Sequence, residues 1–271
     1  MALLHLNFES QFLGVNHDVN IILPDKPRNL SPEQFYSNGA KYKVLWLLHG
    51  TFGDYSDWIR KSNIELYACE KDLIVVMPSG LNADYSSWPG FTLGYDMFSY
   101  LTQELMPLIY NWLPASDKRE DNFIAGLSMG GGGAIKYAAQ HPEKFAAAAI
   151  LSSAPRNLHK INAETAPLRQ KNTIANNGGL EGLIASKENT WDKLKELVGT
   201  GKLPRLYFTC GKDDMLYSGY EEFKAYAQEI GLEATFEEYD GYKHEWRFWD
   251  LTIQRALEFF GLSQTDQGNP F

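Results

Sequence analysis

Cysteine is nearly absent: Cys69 and Cys210 are the only two in 271 residues. A disulfide-stapled secreted scaffold is thereby excluded, and a reducing cytoplasm is the compartment this composition suits. Cys69 sits in a helix-like stretch and Cys210 ends a strand-like one, so both read as small buried residues. No cysteines or histidines stand at metal-ligand spacing, so no metal is expected. Positive charge is also short. Lys and Arg number 25 against 34 Asp and Glu, a net charge of −9. That leaves no basic footprint for nucleic acid. No apolar run nears the roughly 18–20 residues of a membrane span, so no membrane partner is expected. The opening MALLHLNFES has no basic start and no small-residue cleavage site, and it does not read as a signal peptide.

What is present is globular. A hydrophobic share of 44% lets the chain bury one large core. Strand-like and helix-like segments alternate, which implies a mostly parallel sheet with helices on both faces. DVNIILP, KVLWLLHG, LIVVMPS, DNFIAGLS, FAAAAILSSA, RLYFTCG and ATFEEYDG read as strands. WIRKSNIELYACEKD, GYDMFSYLTQELMPLIYNWL, MGGGGAIKYAAQHP, SGYEEFKAYAQEIG and WRFWDLTIQRALEFFG read as helices. The alternation breaks between Pro155 and Pro204, where a polar segment carries Asn176-Asn177-Gly178-Gly179 and the helix-like TWDKLKELV. It reads as a cap-like insertion at about 155–204 in a single domain spanning 1–271. No repeat is visible, and the polar tail SQTDQGNPF is expected to be loosely held.

One serine stands between glycines in Gly126-Leu127-Ser128-Met129-Gly130, a G-x-S-x-G pattern between an apolar strand and a small-residue helix. A strand that turns abruptly into a helix forces its corner residue into strained angles and lifts the hydroxyl above the sheet. Side chains two residues before or after would clash, and Gly131, Gly132 and Gly133 would let the helix lie close to the strands. A glycine-rich helix start is the plainer reading. A Walker phosphate loop is excluded, since no G-K-[ST] follows.

A nucleophilic serine needs a base, and the base needs a carboxylate to fix its tautomer. In the hydrolase order both follow the serine, each in a loop after a strand. After RLYFTC stands Gly211-Lys212-Asp213-Asp214-Met215, where two carboxylates compete. Asp214 is preferred because it clears the strand end, leaving Asp213 as a solvated or helix-capping group. After the last strand, GYKHEW places His244 just before the final helix. His5 and His17 precede the core strands, His141 heads a surface turn and His159 lies in the insertion. His49, at a strand end before Gly50, reads as a local structural residue. Two backbone N–H groups should receive the charge of an acyl-transfer intermediate: that of Met129, and that of Thr51 in LLHGTFGDYSDW.

These residues together resemble the esterase D / tributyrin esterase group of α/β-hydrolases, which includes S-formylglutathione hydrolases and small acetyl- and acylesterases. LLHGTFGDYSDW, GLSMGGGGAIKYA, CGKDDMLY and GYKHEWRFWD carry the resemblance in order over most of the chain, with VNIILP before them. It implies an α/β-hydrolase fold and a serine carboxylesterase. It implies Ser128, Asp214 and His244 as a triad, with Thr51 and Met129 as oxyanion donors. The S-formylglutathione hydrolases usually read S-G-L-T where this chain has His49-Gly50-Thr51.

Trp58, Trp88, Phe91, Met215, Leu216, Tyr217 and Trp246 fall on segments that should frame the acyl site. Their bulk, with the resemblance, points to short-chain acyl esters. A feruloyl or acetyl esterase on decorated carbohydrate and an S-formylglutathione hydrolase are the alternatives. A non-catalytic hydrolase-like protein is a third, which an intact triad argues against. The expected partner is a small-molecule ester. No cofactor is implied, and a homo-oligomer is left open.

Overall fold

The computed structural model describes residues 2–265 apart from Asp25, Arg28 and Thr92. Among them the strands are β1 (Ala2–Ser10), β2 (Val15–Leu23), β3 (Lys43–Leu48), β4 (Leu73–Pro78), β5 (Ser87–Trp88), β6 (Tyr95–Asp96), β7 (Asn122–Leu127), β8 (Ala147–Leu151), β9 (Arg205–Gly211) and β10 (Thr235–Tyr239). Eight form one sheet in the order β1-β2-β4-β3-β7-β8-β9-β10, while β5 and β6 pair as a separate ribbon. From β4 to β10 all neighbours are parallel, and β1 and β2 join the edge antiparallel.

The central strands are apolar on both faces because both are covered. Trp46, Ile74, Ile124, Ile150 and Phe208 point to one core, which the helices Met129–Gln140, Thr190–Leu197 and Tyr217–Glu229 share. Leu45, Val75, Phe123, Ala149 and Tyr207 point to the other, closed by the helix Trp246–Phe259. The period of two along each strand sorts these residues between the layers.

Three local features differ from the sequence reading. Ala2–Ser10 pairs with β2 as an edge strand, which its mostly exposed residues gave no pattern to announce. The expected helix WIRKSNIELYACEKD is two, Asp57–Lys61 and Ile64–Cys69, because Ser62 is extended and the Asn63 N–H donates to Asp250. The segment after Pro155 divides in two. Leu158, Ile174 and Leu183 form a small cluster of their own, whereas Trp191, Leu194 and Leu197 belong to the main core. Of the polar tail, residues 266–271 lie outside the described residues.

The glycine run packs unevenly. A methyl group at Gly126 would sit 2.3 Å from the Gly130 carbonyl oxygen, and one at Gly130 would sit 2.4 Å from that of Leu48. Gly131 and Gly133 are nearly as tight, against Ser153 and Tyr85. Gly132 differs: its nearest neighbour would be Ser153 Oγ at 3.8 Å. Close packing thus explains its neighbours and not Gly132 itself. Gly132→Ala should raise stability by about 0.4–1 kcal/mol by relieving helix entropy. Gly130→Ala should lower it by about 1–3 kcal/mol or more, since backbone must move. Urea unfolding of the two variants checks the opposite signs.

His17 on β2 is buried, and its Nε2–H donates to the Ser79 carbonyl at 2.6 Å. Burial holds its pKa down to about 4, from 6.5. The ring is therefore neutral in the fold and readily protonated in the unfolded chain. Its contribution is complete above pH 6.5 and is lost as pH falls toward 4. A span of that size corresponds to about 3 kcal/mol. His17→Gln should flatten this part of the stability–pH curve, measured by urea unfolding at steps between the two values.

Candidate active site

β7 ends at Leu127 and the helix starts at Met129, so Ser128 alone makes the corner. Its φ of 52° and ψ of −116° are left-handed and strained for a residue with a Cβ. The Ser128 N–H donates to the Leu151 carbonyl at 2.8 Å, and its own carbonyl accepts from Gly132 N–H. These bonds hold the corner against the next strand.

β9 ends in a tight turn where the Asp214 N–H donates to the Gly211 carbonyl and Tyr217 N–H to the Asp214 carbonyl. The loop after β10 presses on it: a methyl at Gly211 would lie 2.3 Å from the Tyr242 carbonyl oxygen. That contact delivers His244 to Asp214. His244 Nδ1–H donates to the carboxylate, 3.0 Å from Oδ1 and 2.9 Å from Oδ2, and Nε2 accepts from Ser128 Oγ–H at 2.9 Å. Asp214 is 5% exposed, whereas Asp213 is exposed and has only its backbone tied, to Tyr242. Burial alone would push the Asp214 carboxyl up. Hydrogen bonds from His244, the Leu216 N–H and Ser152 outweigh it and hold the pKa below the ordinary value. Ser152 Oγ in turn accepts from Trp249 Nε1–H, and the Trp249 ring meets His244 edge-on.

Beside the serine, Met129 opens its helix, so its N–H has no intrahelical acceptor. The Thr51 N–H donates to no described residue, because the loop is held by its neighbours. His49 Nδ1–H donates to the Gly50 carbonyl and Nε2 accepts from Gly80 N–H, both at 2.7 Å. Burial keeps this imidazole neutral by lowering its pKa, in line with the structural role read for it. The Phe52 N–H donates to Asn82 Oδ1.

Ser128 opens into a cavity of about 940 Å³. Of the sequence-predicted pocket residues, Met215, Leu216 and Trp246 line it. Trp58 is buried under Trp246, with its indole N–H on the Leu48 carbonyl. Trp88 donates to the Ala83 carbonyl, Phe91 packs on Tyr95, and Tyr217 bonds to Glu238 near the far sheet edge. These four stand off the cavity walls. In their place are residues that no motif singles out, among them Lys136 on the helix Met129–Gln140 and Arg169 and Glu188 from the polar segment after Pro155. Arg169 donates to Thr51 Oγ1 at 2.9 Å and grips the Asp84 carboxylate through two nitrogens. No run of residue types marks such a wall, since the insertion reaches it only through tertiary contact.

A serine in this setting can be acylated: its strained backbone corner presents the hydroxyl, the imidazole of His244 can take its proton, and a buried carboxylate fixes the tautomer. Comparison with known proteins agrees. Residues 10–260 match the model of the Esterase family, described as "Putative esterase". An acetyl esterase of Caldicellulosiruptor saccharolyticus is 32% identical, covering 96% of this chain and 98% of that protein. Among solved structures, the fluorophosphonate-binding serine hydrolase F of Staphylococcus aureus is similar, with TM-score 0.80 and 30% identity over 96% of this chain and 98% of that one. An S-formylglutathione hydrolase of the same organism gives TM-score 0.79 and 31% identity at the same coverage. By both its sequence and its architecture, the chain belongs to the Esterase family and is a serine ester hydrolase of the α/β-hydrolase fold.

Proposed function

We propose that Ser128 is the nucleophile, His244 the general base and Asp214 its orienter, acting on small-molecule esters with a short acyl group. The observation that carries this is the pair of His244 contacts, one ring nitrogen on Ser128 Oγ and the other on Asp214. His244 Nε2 takes the hydroxyl proton as Ser128 Oγ bonds to the acyl carbon. The carbonyl oxygen becomes an oxyanion between the N–H groups of Thr51 and Met129. Collapse expels the alcohol, which takes the proton from His244 and leaves an acyl-enzyme. Water then repeats the cycle, with its proton passing through His244 and the acid released.

The short acyl group draws its support from the acetyl esterase relative. The crowding expected from Trp58, Trp88 and Phe91 does not contribute, since none of them lines the cavity. The insertion over about 155–204 acts as a cap through residues such as Leu158, Arg169 and Glu188 on the cavity wall. Sparse cysteine content supports a cytoplasmic setting.

Fluorophosphonate labelling followed by peptide mapping tests the nucleophile, and label anywhere but Ser128 refutes it. Asp214→Asn should lower kcat by about 10²- to 10⁴-fold by admitting the wrong tautomer. Asp213→Asn, in exposed surface, should stay within about threefold of wild type. Steady-state kinetics of both variants decide the roles. On p-nitrophenyl esters, kcat/KM should peak at or before four acyl carbons. It should then fall roughly 5- to 150-fold at the first chain that does not fit. A steady rise through eight carbons would remove the short-acyl reading.

A further inference from the structure

The cavity continues well past Ser128. Ser128, Gly132, Ile135 and Lys136 all line it. Spaced at i, i+4, i+7 and i+8, they form one face of the helix. At 1.5 Å per residue, that face runs about 12 Å. Gly132 keeps it open near the serine, since packing places no atom nearer than 3.8 Å to a methyl there.

The far end is polar and built. Lys136 is 5% exposed, and its three N–H bonds go to the Asp84 carbonyl, Ser86 Oγ and Glu188 Oε2. Lys136 is thus saturated. Glu188 is not: it lines the cavity, and its Oε1 accepts from no described residue. The charges here are balanced, Lys136 against Glu188 and Arg169 against Asp84. A carboxylate or an ammonium would enter such a site uncompensated, whereas a neutral hydroxyl can donate to Glu188 at little cost.

We propose that this end of the cavity is a hydroxyl-recognition subsite for the alcohol arm of the ester. The hydroxyl it receives lies about one to two helical turns, roughly 5–11 Å, from the reacting carbonyl. The choice of arm rests on the short-acyl reading above, because only the alcohol arm is then long enough to reach Glu188. The substrate class is a short-chain ester of a diol, polyol or sugar.

The test compares 1,6-hexanediol monoacetate with hexyl acetate. A hydrogen bond to a charged acceptor should give the hydroxylated ester about tenfold or more in kcat/KM. In Glu188→Gln and in Gly132→Val, the ratio between the two esters should fall to within about twofold of unity, whatever the overall rate. A Lys136–Glu188 pair serving only to tie the insertion to the helix would not change that ratio. A wild-type ratio at or below unity overturns the subsite, as does a ratio that survives in both variants. A preference seen only with hydroxylated acyl chains, 6-hydroxyhexanoate against hexanoate p-nitrophenyl esters, overturns the assignment to the alcohol arm. Hydrolysis of p-nitrophenyl acetate and labelling of Ser128 report separately on the esterase reading. If they hold while the ratio is unity, only the subsite falls.

Discussion

The approach of the helix Met129–Gln140 to the ends of β3 and β7 is the constraint on which the rest of the site depends. Gly126, Gly130 and Leu48 meet there with room for hydrogen atoms and nothing larger. The contact forces the corner at Ser128 into its left-handed conformation. It also brings the positive end of the helix beside the loop that carries Thr51, and Thr51, Ser128 and Met129 line one cavity. Strain at one residue is tolerated because the packing of the neighbouring glycines over-determines it.

A second balance is electrostatic. Asp214 is removed from water, which opposes its charge, and three hydrogen-bond donors more than offset that. One of them is His244, so the same contact favours the ionised Asp214 and orients the imidazole. The two loops involved touch backbone to backbone at Gly211 and Tyr242, leaving neither free to adjust alone.

The insertion is coupled to this machinery by charge. Arg169 reaches Asp84 and the Thr51 hydroxyl, and Glu188 meets Lys136 on the helix that Ser128 begins. The segment after Pro155 is therefore fixed to the loop that carries Thr51 at one point and to the helix Met129–Gln140 at another. Lys136 and Arg169 thus bring charge to the cavity wall with a carboxylate already paired to each.

Much of this was legible in the sequence, for physical reasons that can be named. Buried strands announce themselves as apolar runs, and a turn that cannot hold side chains announces itself as glycine. G-x-S-x-G, the loop after RLYFTC and the histidine before the last helix follow from those rules, and the choice of Asp214 over Asp213 matches the burial of one and exposure of the other. Tertiary structure decided what depends on contacts between distant segments. Trp58 turned into the core rather than the cavity because Leu48 offers its indole an acceptor. Gly132 faces open space although its neighbours in sequence are packed tight. Arg169 and Glu188 reached the wall from a segment without periodicity. Local sequence encodes periodicity and strain, whereas the side of a wall on which a side chain falls is set by what packs against it from elsewhere in the chain.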